Sequence, residues 1–150
     1  MKRIRVYLDN CCYNRPYDDQ RQLKIELETK AKLFIQNMAI ENKIDLIWSY
    51  ILDYENSQNN HFQRASAIQK WQDIAIDDVD ETPEIIDTSK VIQQTGVKGV
   101  DALHIACAIY AECDYFITVD KRIMKYNNNK IKICDPVEFI RIWEDFLNDE

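Results

Sequence analysis

Residues 99–120 read GVDALHIACAIYAECDYFITVD, and this stretch decides the fold. Its segment ALHIACAIYA is apolar on almost every face, which predicts a buried helix rather than a surface one. The run YFITV that follows predicts a buried strand, and this strand ends at Asp120. Strands that alternate with helices along a chain predict βαβ units, a mainly parallel sheet and helices on both of its faces.

The rest of the chain continues this alternation. Ile4, Val6 and Leu8 alternate with Arg5 and Tyr7, which predicts a first strand that ends at Asp9. A turn through residues 10–16 is expected to follow. Two more strands are predicted at 45–48 and 130–134, and helices at about 19–42, 49–75 in two stretches, 83–95 and from 136 onward. We therefore expect one domain over residues 1–150, with a three-layer α/β/α architecture.

Helical spacing of apolar residues predicts which helix faces are buried. Local signals also predict where helices begin and end. Thr82 before Pro83 is typical of a helix start, Gly96 of a left-handed helix end, and Asp135 with Glu138 of a capping box. The residues predicted to face the core are Leu23, Leu27, Phe34 and Met38 on the first long helix, Phe62, Ala65, Ile68 and Trp71 on a later one, and Ile140, Trp143 and Leu147 on the last.

Composition limits the classes of function. The formal net charge of −7 argues against a broad cationic surface that would hold nucleic acid by phosphate neutralisation alone. Any phosphate-facing patch should involve two basic segments, residues 2–5 and 121–132. No stretch approaches the roughly 20 consecutive apolar residues that a membrane helix needs, so a cytoplasmic protein is expected. Five cysteines without metal-binding spacing look like reduced core thiols.

Three aspartates are placed where an α/β protein binds its ligands. Asp9 and Asp120 each follow a predicted strand, and Asp101 begins the buried helix after a loop with the only two glycines of the chain. Any one of them could simply cap a helix or a turn. Three carboxylates that converge at one sheet edge favour a divalent-cation site, because a bound metal offsets their mutual repulsion.

In the order and spacing of its motifs the chain resembles the PIN domain family, a metal-dependent nuclease fold. The motifs are VYLDN, WSYILDYE, GVDALHIACA and YFITVD, and the resemblance extends from Val6 to about Cys134. It assigns four acids to the metal site and a hydroxyl residue, Thr118, to a supporting role. The four acids are Asp9, Glu55, Asp101 and Asp120. Glu55 is preferred to Asp53, which lies about 200° away around a helix and so faces elsewhere.

The resemblance implies an endoribonuclease that leaves 5′-phosphate and 3′-hydroxyl ends. Four oxygen donors favour Mg²⁺ or Mn²⁺ over zinc, with Glu55 binding directly or through water. A metal-activated water would attack the RNA phosphodiester. The resemblance also implies the toxin of a toxin-antitoxin pair, with an antitoxin protein as partner and a homodimer as a common assembly. Lys121 and Arg122, beside Asp120, are candidates for substrate binding.

One loop departs from the family pattern. Many members have Asp-Thr-Asn at the first acid, whereas this chain has Asp9, Asn10 and Cys11. We expect Asn10 to supply the missing polar contact. His104 lies one turn beyond Asp101, and a hydrogen-bonded core histidine is the favoured interpretation over a metal ligand.

Other functions fit less well. An aspartate-dependent phosphatase would need a second aspartate two residues after Asp9, where Cys11 stands. A phosphoacceptor receiver domain would need an aspartate at the end of a central strand, and IDLIWSY provides none. The remaining alternative is a PIN-fold scaffold or binding protein with weak or no catalytic activity.

Overall fold

A parallel sheet of five strands forms the centre of the protein. The computed structural model describes residues 3–149. The strands are β1 (Arg5–Leu8), β2 (Asp45–Ser49), β3 (Asp77–Val79), β4 (Tyr115–Ile117) and β5 (Lys132–Cys134), and their order across the sheet is β3-β2-β1-β4-β5. Every neighbouring pair is parallel. The direction of winding reverses beside β1, which in such sheets opens a crevice at the carboxyl ends of the strands.

Helices flank this sheet. Within residues 3–149 they are α1 (Asn10–Asn14), α2 (Leu23–Ile40), α3 (Tyr50–Ser57), α4 (Phe62–Gln69), α5 (Trp71–Ile74), α6 (Pro83–Gln93), α7 (Gly99–Tyr110), α8 (Lys121–Met124) and α9 (Pro136–Asn148). The helix α6 packs on α7, and α2 packs on α9. The predicted α/β class with a mainly parallel central sheet is confirmed. None of the described helices combines the length and the apolar character that crossing a membrane requires.

The core lies between the central strands and α7. Along α7, Ala102, Ile105 and Ala108 are fully buried, as its apolar sequence predicts. The rings of Tyr7 on β1 and Phe116 on β4 stack with their centroids 5.3 Å apart. Each fully buried large side chain stabilises the fold by roughly 1.5–3 kcal/mol. The strand ends that carry the acidic residues are therefore held by a rigid interior.

Two local predictions were wrong. The segment after Asp9 is the short helix α1, followed by a 3-10 turn over Arg15–Tyr17, instead of an irregular turn. The edge strand β3 was missed, because three residues that include Asp77 and Asp78 show too little apolar alternation to predict a strand. Its register beside Ile47 comes from pairing with β2. The edge strand thus arises from a tertiary contact, which sequence periodicity does not contain, whereas α1 begins with a local cap by Asp9.

The buried face of α2 also differs from the prediction. Met38 is buried, but Leu23, Leu27 and Phe34 are 68%, 47% and 50% exposed. The face turned inward carries polar side chains that find partners there: Glu28 forms an ion pair with Arg15 at 2.7 Å. The ammonium group of Lys32 lies 5.7 Å from the centroid of the Tyr13 ring. The three apolar residues thus form an outward stripe, and specific partners override the hydrophobic pattern.

Two other apolar residues expected in the core lie at the surface: Phe62 is 84% exposed and Leu147 48%. Trp143, by contrast, is buried as predicted. The predicted helix starts at Thr82 and Asp135 are confirmed, because each side chain caps its helix, whereas α6 ends at Gln93 with Gln94 as its cap, two residues before Gly96. The Thr82 hydroxyl accepts a hydrogen bond from the backbone of Ile85, and Gly96 has a φ of 103° just beyond α6. Most helix ends are encoded locally, whereas burial depends on the neighbours that the fold supplies.

Candidate metal centre

An acidic cleft lies where the carboxyl ends of the central strands meet. Its volume is about 400 Å³. Strand β1 leads into Asp9, β2 leads through α3 to Glu55, β4 leads to Asp120, and the start of α7 brings Asp101. All four acids line the cleft, together with Asp18 and Cys11 among others. The four residues assigned by the resemblance, which are up to 111 positions apart in the sequence, are therefore neighbours in space.

Asp9 is the most deeply buried of the four acids and is 4% exposed. Its Oδ1 accepts a hydrogen bond from the backbone N–H of Asn10 at 2.8 Å, so Asp9 caps α1. Its Oδ2 accepts from the Thr118 hydroxyl at 2.8 Å and from the Cys11 thiol at 3.2 Å. The donors that hold this carboxylate are uncharged, so they orient it without neutralising it.

Glu55 lies in the second turn of α3, the helix that Ser49 caps. The Ser49 hydroxyl caps α3 by accepting from the backbone of Leu52 at 3.3 Å. The rival acid, Asp53, is used elsewhere: it accepts from the Trp48 indole at 2.8 Å and from the Gln69 amide at 2.7 Å. These contacts tie α3 to its neighbours and turn Asp53 away from the cleft. Glu55 remains the acid of α3 that faces Asp9 and Asp101.

Asp101 lies within the first turn of α7, and the capping position belongs to Lys98. The cap interpretation of Asp101 is therefore wrong. Burial raises the pKa of the Asp101 carboxyl above its ordinary value, and the nearby carboxylates of Asp9 and Asp120 raise this pKa further. Such mutual repulsion is expected where several acids converge without a cation.

Asp120 and Thr118 link the end of β4 to Asp9. The Asp120 carboxylate accepts from the backbone of Arg122 at 2.8 Å and caps α8. The fully buried Thr118 hydroxyl donates to Asp9 and accepts from the backbone of Asp120 at 3.1 Å. Asp9 and Asp120 are thus capping residues and cleft residues at once, so the two interpretations of these acids are compatible.

A buried chain of hydrogen bonds reaches the cleft from inside. The Tyr7 hydroxyl lies 2.6 Å from Ser49 Oγ and 2.6 Å from His104 Nδ1, and His104 Nε2 contacts a carboxylate oxygen of Glu55. One assignment of protons satisfies every group: Ser49 donates to Tyr7, Tyr7 donates to Nδ1, and Nε2–H donates to Glu55. The prediction of a hydrogen-bonded core histidine is confirmed, but the sequence did not reveal that its partner is Glu55.

Cys11 differs from the other four cysteines. They are buried, as predicted, whereas Cys11 is half-buried and lines the cleft. Its thiol donates to Asp9, lies 3.3 Å from the Thr118 hydroxyl and accepts from the backbone of Val119 at 3.4 Å. The Asn10 amide oxygen instead accepts from the Asn14 side chain at 3.3 Å. Cys11 thus makes a side-chain contact with Asp9, while Asn10 lines the same cleft and its supporting role stays a prediction.

The donors of the cleft fit a hard divalent cation. A carboxylate oxygen of Asp9 and one of Glu55 lie within 4.8 Å of each other, and a ring nitrogen of His104, which is held in the hydrogen-bond chain, lies within the same distance of both. Asp101 and Asp120 add carboxylates on the same cleft, and no Lys or Arg lines it within the described chain. Carboxylate oxygen is the donor that Mg²⁺ and Mn²⁺ prefer, and clustered acids of this kind are stabilised when a cation joins them.

The two basic segments have different positions. Arg3 forms an ion pair with Asp45 at 3.1 Å, and Arg5 donates to the backbone oxygen of Ala111, at the opposite end of the sheet from the cleft. Lys2 lies outside the described residues. Of the residues proposed for substrate binding, Lys121 and Arg122 are both exposed on α8, next to Asp120. Arg3 and Arg5 therefore lie away from the acidic cleft, and a phosphate-facing patch at residues 2–5 stays a prediction.

Comparison with known proteins supports the fold. Neither a protein-family model nor a curated protein matches the sequence. Among solved structures, the chain is similar to one in the crystal structure of VapBC2 from Rickettsia felis bound to a DNA fragment from their promoter. The TM-score is 0.53 and the identity 11%, and the match covers 87% of this chain and 97% of that one. At this identity the likeness shows that the two chains share an α/β fold.

Proposed function

We propose that this protein is a metal-dependent endoribonuclease. The observation that carries the proposal is the convergence of Asp9, Glu55, Asp101 and Asp120 on one cleft at the carboxyl edge of the sheet. Among the described residues, only the Asp120 carboxylate of the four forms an ion pair with a Lys or Arg, the exposed Arg122, so their convergence is costly unless a cation binds them. The resemblance of the sequence motifs to the PIN family and the similarity of the fold support the same function.

Each residue of the cleft has a definable task. Asp9, Asp101 and Asp120 would hold Mg²⁺ or Mn²⁺, and Glu55 would complete the site directly or through a water. Such a cation supplies a Lewis acid that lowers the pKa of water and offsets the charge of a phosphodiester under attack. Thr118 and Cys11 fix the orientation of Asp9 through their hydrogen bonds. His104 fixes Glu55 in the same way.

A partner protein is part of the proposal. The similar chain comes from a structure named VapBC2, in which the protein is bound to a DNA fragment from its promoter. Together with the sequence resemblance, this supports the toxin of a toxin-antitoxin pair, inhibited by an antitoxin. Co-purification with the product of a neighbouring small open reading frame, and loss of nuclease activity in that complex, would support this role. A homodimer is proposed on the resemblance alone.

The competing proposal is a PIN-fold protein that binds RNA or a partner without cutting. The altered loop at Cys11 favours it, because the amide that many family members place there is replaced by a thiol. Both proposed functions predict RNA binding, but only the nuclease function predicts that new RNA ends are produced. The absence of metal-dependent cleavage in a correctly folded protein would favour the scaffold.

The nuclease proposal is tested with a mixed RNA substrate and a DNA strand of the same sequence. Cleavage is measured with Mg²⁺, with Mn²⁺ and with EDTA, and the product ends are analysed. We expect RNA fragments with 5′-phosphate and 3′-hydroxyl ends that require the metal. Cleavage that persists in EDTA, or products with cyclic phosphate ends, would contradict the proposed chemistry.

A further inference from the structure

A second cleft, here called the basic cleft, adjoins the acidic one. Its volume is about 460 Å³, and its lining includes Lys98, Arg122, Lys125, Tyr126 and Asp101. Asp101 also lines the acidic cleft, so the two depressions share a wall. A ligand that fills the basic cleft therefore lies directly beside the proposed metal site.

The charge of the basic cleft contrasts with that of the protein. Three cationic side chains line it in a chain whose formal net charge is −7. Lys98 and Lys125 are exposed, and neither forms an ion pair with any residue in 3–149. Arg122 lies 3.6 Å from Asp120 but is 72% exposed, and such surface pairs are weak. The three cations are therefore available to an anionic ligand.

The walls of the basic cleft are shaped by two loops. Gly96, with a φ of 103°, turns the chain between α6 and α7 in a conformation that other residues rarely adopt. On the opposite side, the Asn128 side chain accepts hydrogen bonds from the backbone of Lys130 and Ile131 at 2.9 and 2.8 Å. These bonds fix the segment that follows Tyr126. Tyr126 is half-buried, packs partly against the core and lines the cleft.

We propose that the basic cleft binds one nucleotide of a single-stranded RNA, next to the phosphodiester that is cut. This inference rests on the proposed nuclease function. The volume lies within the roughly 300–1,000 Å³ that is usual for small-ligand sites, which suits one nucleotide. Cations for the phosphates beside an aromatic side chain for the base are the combination that single-strand binding uses. A duplex keeps its bases stacked and paired, so it cannot place one in a concave cleft.

The experiment measures binding of a fluorescent, unstructured 12-nucleotide RNA to the full chain in EDTA, where the proposed nuclease cannot cut. The double variant Lys98→Ala and Lys125→Ala should bind at least ~10-fold more weakly and should show a smaller salt dependence, by about 0.7 in log–log slope for each lost phosphate contact. Tyr126→Leu should weaken binding ~5-fold or more, whereas Tyr126→Phe, which keeps the ring, should remain within ~2-fold of the wild type.

Lys43→Ala is the matched control. Lys43 is an exposed lysine that precedes β2, at the amino end of the strands. Its replacement by alanine should leave the affinity for RNA unchanged. Circular dichroism and the melting temperature verify that the control and every other variant are folded. A duplex of the same length should bind more weakly than the single strand. Equal affinity for duplex and single strand, or wild-type affinity in the Lys98 and Lys125 double variant, would overturn the proposed nucleotide site.

The binding assay separates this inference from the nuclease proposal. If the wild type cuts RNA but the lysine variants bind normally, the basic cleft is not the nucleotide site and the nuclease proposal is unaffected. If the lysine and tyrosine variants lose binding but the wild type never cuts, the basic cleft is a nucleotide site of a non-cutting RNA-binding protein.

Discussion

His104 Nε2 forms a hydrogen bond with a carboxylate oxygen of Glu55, and this bond joins the buried face of α7 to the acidic cleft. The other ring nitrogen, Nδ1, is held by the Tyr7 hydroxyl at 2.6 Å. The imidazole is therefore held in one orientation by contacts at both ring nitrogens. Ser49 caps the start of α3 and also begins the hydrogen-bond chain that reaches the Glu55 carboxylate through Tyr7 and His104.

Removal of the His104 side chain should weaken metal binding. His104→Ala frees Glu55 to rotate, and loss of such an orienting partner typically reduces metal affinity about 10–100-fold. His104→Gln, whose amide can donate to Glu55, should recover part of this loss. Calorimetric titration with Mn²⁺ measures both variants. Equal affinity of His104→Ala and the wild type would show that His104 does not position a metal ligand.

The thiol of Cys11 should contribute to the site through its hydrogen bond to Asp9. Cys11→Ser keeps a donor there and should bind Mn²⁺ within about 2-fold of the wild type, whereas Cys11→Ala should bind several-fold more weakly. Cys12→Ala changes the adjacent, buried cysteine and serves as the control for general damage to α1. If Cys11→Ala and the wild type bind Mn²⁺ equally well, Asp9 is held sufficiently by Thr118 and Asn10.

In the metal-free protein, Asp101→Asn should increase stability at neutral pH. The raised pKa of Asp101 means that the fold favours the neutral form of this carboxyl group. The contribution of Asp101 to the free energy of unfolding is therefore fully present below the unfolded pKa of about 4. It is lost as the pH rises through the raised folded pKa. Because Asp101 is half-buried and screened by solvent, the gain should not exceed about 1 kcal/mol. Urea unfolding at pH 4 and pH 7 should show the gain only at pH 7. A loss of stability at pH 7 would indicate a structural role.

Lys32 provides a pH test away from the cleft. Burial lowers the pKa of Lys32 to about 8. Below pH 8 the ammonium group of Lys32 is charged in the folded and the unfolded protein, and burial of this charge destabilises the fold fully. Between about pH 8 and 10.5 the folded protein releases the proton first, so the free energy of unfolding should rise. Lys32→Met should therefore be more stable than the wild type at pH 7, by up to about 3 kcal/mol, with the difference shrinking towards pH 10.5. A difference that is independent of pH would contradict a buried ammonium.

The sequence predicts the fold better than it predicts individual faces. Local signals suffice for α7 and β4, because ALHIACAIYA and YFITV are apolar enough to be buried in any arrangement. The pattern fails on α2, where the Glu28 pair with Arg15 draws polar residues inward and leaves Leu23 exposed. Such partners are distant in sequence, and no periodicity on the helix itself reveals them.

In the candidate site, too, some features can be predicted from the sequence and others cannot. Its four acids could be selected from strand ends and from the family resemblance, because both depend on the order of residues along the chain. The contacts of Cys11 with Asp9 and of His104 with Glu55 could not, because they depend on how α1, α3 and α7 meet. The only available signal for His104 was its position one turn beyond Asp101 on a helix predicted to be buried.

The central claim is that the acidic cleft binds a metal and cuts RNA, and a paired comparison of two aspartate variants tests it most directly. The rate of Mn²⁺-dependent RNA cleavage is measured for the wild type, for Asp101→Asn and for Asp87→Asn, which changes an exposed aspartate on α6 outside the cleft. We predict that Asp101→Asn lowers the rate at least ~100-fold while Asp87→Asn leaves it unchanged. Full activity in folded Asp101→Asn, or no metal-dependent cleavage by the wild type, would contradict the account.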